Sequence, residues 1–93
     1  MYEQSALLRN GIGLHSWPAS RFFHTANQFE SEIWIGVNDR WANAKSLLSI
    51  LGLGIDSNTK ITLRADGADE RKAIYTLIKL IQNFENKSQE NTR

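Results

Sequence analysis

Histidine and serine side chains are the candidates for chemistry in this 93-residue chain, which contains no cysteine. His15 lies between a glycine-rich loop and the predicted start of an amphipathic helix, for which His15 or Ser16 is the cap. Helix N-termini carry unpaired N–H groups and a partial positive charge. They disfavour an imidazolium ring and would stabilise a phosphoryl group attached to His15. The alternative is an incidental capping histidine, and spacing alone favours that alternative.

The charges are balanced in number but unevenly placed. Eleven Lys and Arg residues oppose ten Asp and Glu residues, for a net charge of +1. This balance argues against a polybasic protein that binds nucleic acid directly. No Asp or Glu occurs between Gln4 and Phe29, or between Arg40 and Ile55. Two stretches that do not repel an anion therefore flank two predicted helix N-termini.

The sequence predicts no cofactor and no metal. Without cysteine there are no disulfides or thiolate zinc sites, and the two histidines lack a suitably spaced carboxylate. The glycine patterns of nucleotide-binding loops, GxGxxG and GxxxxGK[ST], are also absent. Apolar runs are too short to cross a bilayer, and no secretory signal is visible at the N-terminus. We therefore expect a cytoplasmic domain without membrane insertion.

Hydrophobic periodicity predicts four strands and three helices in the order βαββαβα. The strands are expected at 2–8, 33–37, 40–43 and around 61–65, with a hairpin turn at Asn38-Asp39. The helices are expected from about Ser16, over 46–53, and from about Asp69. Their apolar stripes are Ala19, Phe22, Phe23, Ala26 and Phe29 in the first helix, and Ala73, Ile74, Leu77, Leu80, Ile81 and Phe84 in the last.

This pattern predicts one α+β domain over 1–85. The expected architecture is an open-faced sandwich, in which a four-stranded antiparallel sheet carries three helices on one face. Residues 86–93 are polar and are expected to form a frayed C-terminal tail. In the hairpin, Trp41 falls opposite Gly36 and diagonal to Trp34. We favour an indole that covers the gap above Gly36 over a binding role.

Several exposed positions are candidates for partner docking. Trp17 shares the polar face of the first helix with Ser20, Arg21 and His24. An exposed indole beside His15 would suit a partner contact, and an indole folded over the edge of the core is an equal alternative. The helix at 46–53 has more leucines than it can bury, so some must face outward. They would form a small apolar patch.

The segment Gly13-Leu14-His15-Ser16-Trp17-Pro18-Ala19 resembles the active-site pattern GLHARPA of the histidine-containing phosphocarrier protein (HPr) family. Five of the seven positions agree. The segment NAKSLL at 43–48 is similar to the regulatory segment of that family, and ADGADE at 65–70 is similar to the turn before its last helix. The resemblance extends from about residue 2 to residue 84 and implies an HPr-like open-faced sandwich.

The resemblance implies a phosphoryl carrier of the bacterial phosphoenolpyruvate:sugar phosphotransferase system. His15 would accept the phosphoryl group on Nδ1 from the first enzyme of the system and pass it to sugar-specific permease components. The carrier would hold a phosphohistidine intermediate without being an independent catalyst. Ser46 would be phosphorylated by the HPr serine kinase, and the modified protein would bind the catabolite-control transcription factor. The docking residues implied or considered are Trp17, Ser20, His24, Leu47, Leu48 and Leu51.

Position 17 departs from the family pattern, because the family has arginine where this sequence has Trp17. An indole cannot replace the guanidinium that balances phosphate charge. The phosphate-stabilising groups predicted here are the backbone amides of Ser16 and Trp17, together with Arg21 one turn further along. The alternative function is a regulatory HPr-like protein that acts through Ser46 and protein docking, with weak or no phosphotransfer.

Overall fold

The chain forms seven regular elements in the predicted order. The computed structural model describes residues 1–9, 13–14 and 16–90, with backbone alone at Ser16 and over 85–90. The elements are β1 (Tyr2–Leu8), α1 (Ser16–Ala26), β2 (Glu32–Val37), β3 (Arg40–Asn43), α2 (Leu47–Gly52), β4 (Thr59–Asp66) and α3 (Glu70–Glu90). The prediction of a βαββαβα order is confirmed. Because α3 continues to Glu90, the last helix is longer than its apolar stripe, and fraying of the tail stays a prediction.

The sheet has the strand order β1-β4-β2-β3, and all three strand pairs are antiparallel. The ladder between β1 and β4 runs from the pair Tyr2–Ala65 to the pair Leu8–Thr59. The sheet contacts α3 through β1 and β4 and α2 through β3, while α1 packs against both other helices. This arrangement is the expected four-stranded open-faced sandwich, with β1 and β3 at its edges.

The core lies between the helices and one face of the sheet. Alternate residues of the strands are buried, as Ile33, Ile35, Ile61, Leu63 and Ala65 illustrate. The α3 stripe is buried as predicted, except that Leu80 is only partly covered. The buried residues of both layers form one contiguous apolar cluster, which contains Leu8, Leu14, Ala19, Phe22, Ile33, Ile35, Ile50, Ile61, Leu63, Ile74, Leu77, Ile81 and Phe84.

The ends of two helices differ from the sequence prediction. α1 stops at Ala26, where the side chain of Asn27 donates to the carbonyl of Phe23 at 2.9 Å. Phe29, expected on the α1 stripe, therefore lies beyond the helix, although it still packs against the core. α2 is shorter than predicted, because Ser46 and Leu53 are its caps and lie outside its helical residues. Local side-chain and cap geometry sets these boundaries more finely than periodicity does.

The uncovered face of the sheet is organised around Trp41. Its indole lies over Gly36, where an added Cβ would be 2.8 Å from the ring. The guanidinium of Arg64 lies 4.4 Å from the centre of the Trp41 ring and donates to Glu3 Oε1 at 2.9 Å. The hairpin turns at Asn38, whose φ of 57° suits an asparagine. The predicted pairing of Trp41 with Gly36 is therefore confirmed.

The junction between β4 and α3 is fixed by two carboxylates. Asp69 accepts hydrogen bonds from the hydroxyl of Ser31 at 2.5 Å, the amide of Ser31 at 3.0 Å and the amide of Glu30 at 3.0 Å. These donors favour the ionised form and lower the pKa of Asp69 to about 2. Glu70 Oε1 accepts from the amide of Gly67 at 3.1 Å, which lowers the pKa of Glu70. The start of α3 is thus tied to the segment that precedes β2.

The depressed pKa of Asp69 predicts a loss of stability at low pH. A carboxylate whose pKa is lower in the folded state stabilises the fold above its unfolded pKa of 3.8, and this stabilisation is lost as the pH falls toward about 2. The free energy of unfolding, measured by urea denaturation over this range, should fall less steeply in Asp69→Asn than in the parent. Asp39→Asn, which changes an exposed carboxylate in the hairpin turn, is the control. Equal slopes for Asp69→Asn and the parent would contradict the assignment.

Candidate functional site

The residues on both sides of His15 are held in place by the core and by the backbone. Gly13 has a φ of 79°, a conformation that glycine adopts without strain. Leu14 is fully buried, and its amide donates to the carbonyl of Ile55 at 2.8 Å. α1 begins at Ser16. His15 itself lies outside the described residues, so the structure places its neighbours and leaves its ring undescribed.

Trp17 packs at the edge of the core. Its ring is half-buried and meets Phe84 edge-on, with 5.5 Å between ring centres and an interplanar angle of 86°. Of the two alternatives that the sequence left open, the structure has the indole folded against the core. The sequence does not predict Phe84 as its partner, because the two residues are far apart in the chain. The helical phase of Trp17 gives no signal of this contact, since it predicts the polar face of α1.

The predicted polar face of α1 remains accessible in part. Arg21 and His24 are exposed, and Ser20 is half-buried. The His24 ring lies 5.0 Å from the ring of Phe23, with an edge-on geometry. The residues of α1 include no acidic side chain. This face therefore combines basic and small polar groups and would not repel an anionic partner group.

Ser46 is the N-cap of α2. Its backbone is extended, with φ −124° and ψ 108°, and its Oγ accepts a hydrogen bond from the amide of Ser49 at 3.3 Å. The Ser46 hydroxyl also donates to Ser49 Oγ at 2.9 Å. A hydroxyl in this position satisfies one of the otherwise unpaired amides at the start of the helix. An anion attached to it would face the positive end of the helix dipole.

The apolar residues at 47–53 divide between the core and the surface, as the sequence predicted. Ile50 and Leu53 are buried, whereas Leu48 is 82% exposed and Leu51 is 38% exposed. Leu47 is partly covered and packs against the core. We call Leu47, Leu48 and Leu51 the leucine patch. Because α2 packs against α1, the patch lies beside the helix that follows His15.

Two basic side chains anchor the segment around α2. Arg40 Nη2 donates to the carbonyl of Leu53 at 2.6 Å, at the C-terminal end of α2. Lys45 Nζ donates to the carbonyl of Phe29 at 2.5 Å, just before the N-cap residue Ser46. Each side chain thus donates to a carbonyl that lies outside the helices and strands. The leucine patch is therefore carried on a segment fixed at both ends.

The residues that the structure describes offer no evident metal or membrane site. Over 1–9, 13–14 and 16–90, no group of three or more His, Asp or Glu side chains is placed to hold a metal ion. No helix within that part of the chain is long and apolar enough to cross a membrane.

Comparison with known proteins assigns the chain to one family. The family model for the PTS HPr component phosphorylation site matches residues 2–83. The phosphocarrier protein HPr of Neisseria meningitidis, from a serogroup A strain, is 39% identical over 84 residues, which are 90% of this chain and 94% of that protein. The match thus includes His15, the helices α1 and α2, and all four strands of the sheet.

Solved structures agree with this assignment. The crystal structure of an HPr from Thermoanaerobacter tengcongensis superposes with a TM-score of 0.89 at 37% identity, over 92% of this chain and 97% of that one. The Bacillus subtilis catabolite repression protein Crh superposes with a TM-score of 0.72 at 32% identity, over 89% and 95% of the two chains. On the family match and these relatives, the chain belongs to the HPr phosphocarrier family of the sugar phosphotransferase system.

Proposed function

We propose that the chain carries a phosphoryl group on His15 between the first enzyme of the phosphotransferase system and sugar-specific permease components. The observation that carries this proposal is the family match over residues 2–83, which includes His15 in its Gly-Leu-His segment. The burial of Leu14 and the start of α1 at Ser16 support it, because His15 comes between these two residues in the sequence. The proposed partners place the protein in the cytoplasm.

The proposed transfer exchanges one bond to phosphorus for another. In the first transfer, the bond between phosphorus and the first enzyme breaks as a P–N bond forms on the ring of His15. In the second transfer, this P–N bond breaks as phosphorus forms a bond to the permease component. No cofactor enters either step. The amides of Ser16 and Trp17 lie in the first turn of α1, where backbone N–H groups lack intrahelical partners, and would donate to the phosphoryl oxygens. Arg21, one turn further along, is the nearby cation proposed to offset their charge.

The proposed docking surface consists of two adjacent helices. The leucine patch supplies an apolar centre, and Leu48 is its most exposed side chain. Trp17, Ser20 and His24 on α1 supply the remainder of the surface, with Trp17 half-buried. A partner that buries this surface would bring its own phosphorylated residue to His15, and the same surface would serve both the donor and the acceptor in turn.

Phosphorylation of His15 is tested by incubating the protein with the first enzyme and phosphoenolpyruvate. We expect one acid-labile phosphate, located by intact-mass measurement and peptide mapping, because a phosphoramidate hydrolyses in acid. His15→Ala should abolish the label, while His24→Ala, which changes the exposed histidine on the same helix, should retain it. A protein that stays unlabelled beside a labelled control HPr would exclude the carrier function.

A second candidate function is regulatory, and the position of Trp17 favours it. The residue aligned with the arginine of the family pattern presents no cation and packs instead against Phe84. A phosphoryl group on His15 would then lack one charge-assisted donor, which slows transfer. The regulatory protein would act through phosphorylation of Ser46 by the HPr serine kinase and through binding to the catabolite-control transcription factor. The similarity to Crh supports this alternative.

Replacing Trp17 separates the two candidates. Trp17→Arg should raise the rate of phosphotransfer from the first enzyme about tenfold, because it restores a charged donor. It should also lower the free energy of unfolding by about 1 kcal/mol, since the contact with Phe84 is lost. Trp17→Phe is the matched control, because it keeps an aromatic ring without a charge. A Trp17→Arg rate no higher than the parent rate would show that the missing guanidinium does not limit transfer.

Modification of Ser46 is tested with the HPr serine kinase and ATP. We expect one acid-stable phosphate, because a serine phosphate ester is not hydrolysed in acid. At the N-cap of α2 this phosphate would face the positive end of the helix dipole. Ser46→Ala should remove the label and, by loss of the cap, lower the free energy of unfolding by about 1 kcal/mol. Ser49→Ala keeps the cap hydroxyl and should still be labelled. Labelling that persists in Ser46→Ala would refute the assignment.

A further inference from the structure

β1 is a long edge strand with one side paired. It pairs with β4 along all seven residues, from Tyr2 to Leu8, without a bulge. In the sheet formed by the described residues, no strand lies on its other side. The opposite edge, β3, has only four residues. A long regular edge offers alternating N–H and C=O groups to another extended chain, and β1 contains neither proline nor lysine to block such pairing.

A groove runs along this edge between β1 and α3. It has a volume of about 210 Å³ and is lined by Tyr2, Gln4, Arg71, Ile74, Tyr75 and Ile78. Tyr75 is 66% exposed, and the hydroxyl of Tyr2 accepts a hydrogen bond from Gln4 Nε2 at 3.0 Å. A chain added to β1 would direct every second side chain into this groove. Aromatic and aliphatic walls suit apolar side chains there.

The groove carries positive charge. The guanidinium of Arg71 lies 4.7 Å from the centre of the Tyr2 ring, and Lys79 Nζ lies 5.9 Å from the centre of the Tyr75 ring. The lining contains no acidic residue. Glu3, the acidic residue of β1, bonds to Arg64 on the other face of the sheet.

The acidic residues beyond the end of β1 face a different cation. Asp66 Oδ1 and Glu70 Oε1 lie 3.5 Å and 3.1 Å from the ammonium of Met1. Both carboxylates are thus directed to the N-terminus, which also anchors the start of β1. A ligand in the groove would therefore meet Arg71 and Lys79 as its nearest charged groups.

We propose that the outer edge of β1 binds an extended acidic segment of a partner protein as a fifth strand. An acidic side chain of that segment pairs with Arg71, and apolar side chains pack against Tyr75 and Ile78. Charge complementarity selects this occupant, because Arg71 in the lining and Lys79 against the Tyr75 ring are cations and the lining contains no acidic residue. The site is distinct from α1 and α2 and does not depend on phosphotransfer.

The test uses the full-length protein and a capped seven-residue peptide, Thr-Glu-Thr-Leu-Thr-Val-Thr. Its Glu, Leu and Val side chains share one face of an extended chain. In two-dimensional ¹⁵N NMR titrations, we expect the peptide to shift the backbone amides of β1 and to slow their exchange with water. A peptide with Lys in place of Glu should bind about three- to tenfold more weakly. A peptide with Pro in place of both inner threonines should not bind, because it lacks two N–H donors.

Charge variants of α3 identify the groove. Arg71→Glu should weaken binding of the Glu peptide about three- to tenfold. The variant protein should bind the Lys peptide more tightly than the Glu peptide, and this reversal requires a correctly folded groove. Arg71→Met keeps the side-chain stem over Tyr2 and should weaken binding without that reversal. Lys72→Glu makes the same charge change on an exposed neighbour outside the groove lining and should alter binding less than about twofold.

Three outcomes would overturn the proposal. The first is an absence of shifts in β1 amides at millimolar peptide, including the case in which shifts are confined to α1 and α2. The second is equal binding of the Glu and Lys peptides. The third is a change in β1 amides with protein concentration in the absence of peptide, which would identify a second copy as the occupant. None of these outcomes bears on labelling of His15, so failure here is distinguishable from failure of the carrier function.

Discussion

The packing of α3 across β1 and β4 is the interaction on which the other parts of the structure depend. The buried stripe of α3 covers the sheet, and α1 packs in turn against α3. The contact of Trp17 with Phe84 links the first turn of α1 to the far part of α3. Leu14 adds a second attachment through the carbonyl of Ile55. Leu14 and Trp17, which lie on either side of the His15–Ser16 segment in the sequence, are thus held by contacts that lead back to the sheet.

Much of this architecture is predictable from the sequence because burial imposes a period on it. Alternation at Ile33, Ile35 and Val37 identified a half-covered strand, and the stripe from Ala73 to Phe84 identified a helix with one buried side. The hairpin was also predictable, since its turn residues and the pair of Trp41 with Gly36 follow from local register. In each of these cases the signal lies within a few residues.

Other features depend on contacts that local patterns do not encode. Asp69 and Ser31 are 38 positions apart, and neither residue differs in type from an ordinary surface residue. At the end of α1, the amides of Gln28 and Phe29 donate to carbonyls three residues earlier, so that Phe29 lies outside the helix. The position of the Trp17 ring was open for the same reason, because its helical phase predicts a polar face while its partner comes from α3. The His15 segment was identified by its resemblance to a family, since the residue spacing alone favoured a simple cap.

The position of β4 between β1 and β2 has a consequence for synthesis of the protein. Strand β1 is the first element to leave the ribosome, yet its partner β4 follows about fifty residues later. Among the strand pairs of the described residues, the hairpin of β2 and β3 is the one that can form before β4 emerges. The sheet and its core must therefore form late and together, since non-local pairing is reached only when most of the chain is present. The early strand spends this interval without a partner, in a chain that has no cysteine to trap a wrong pairing covalently.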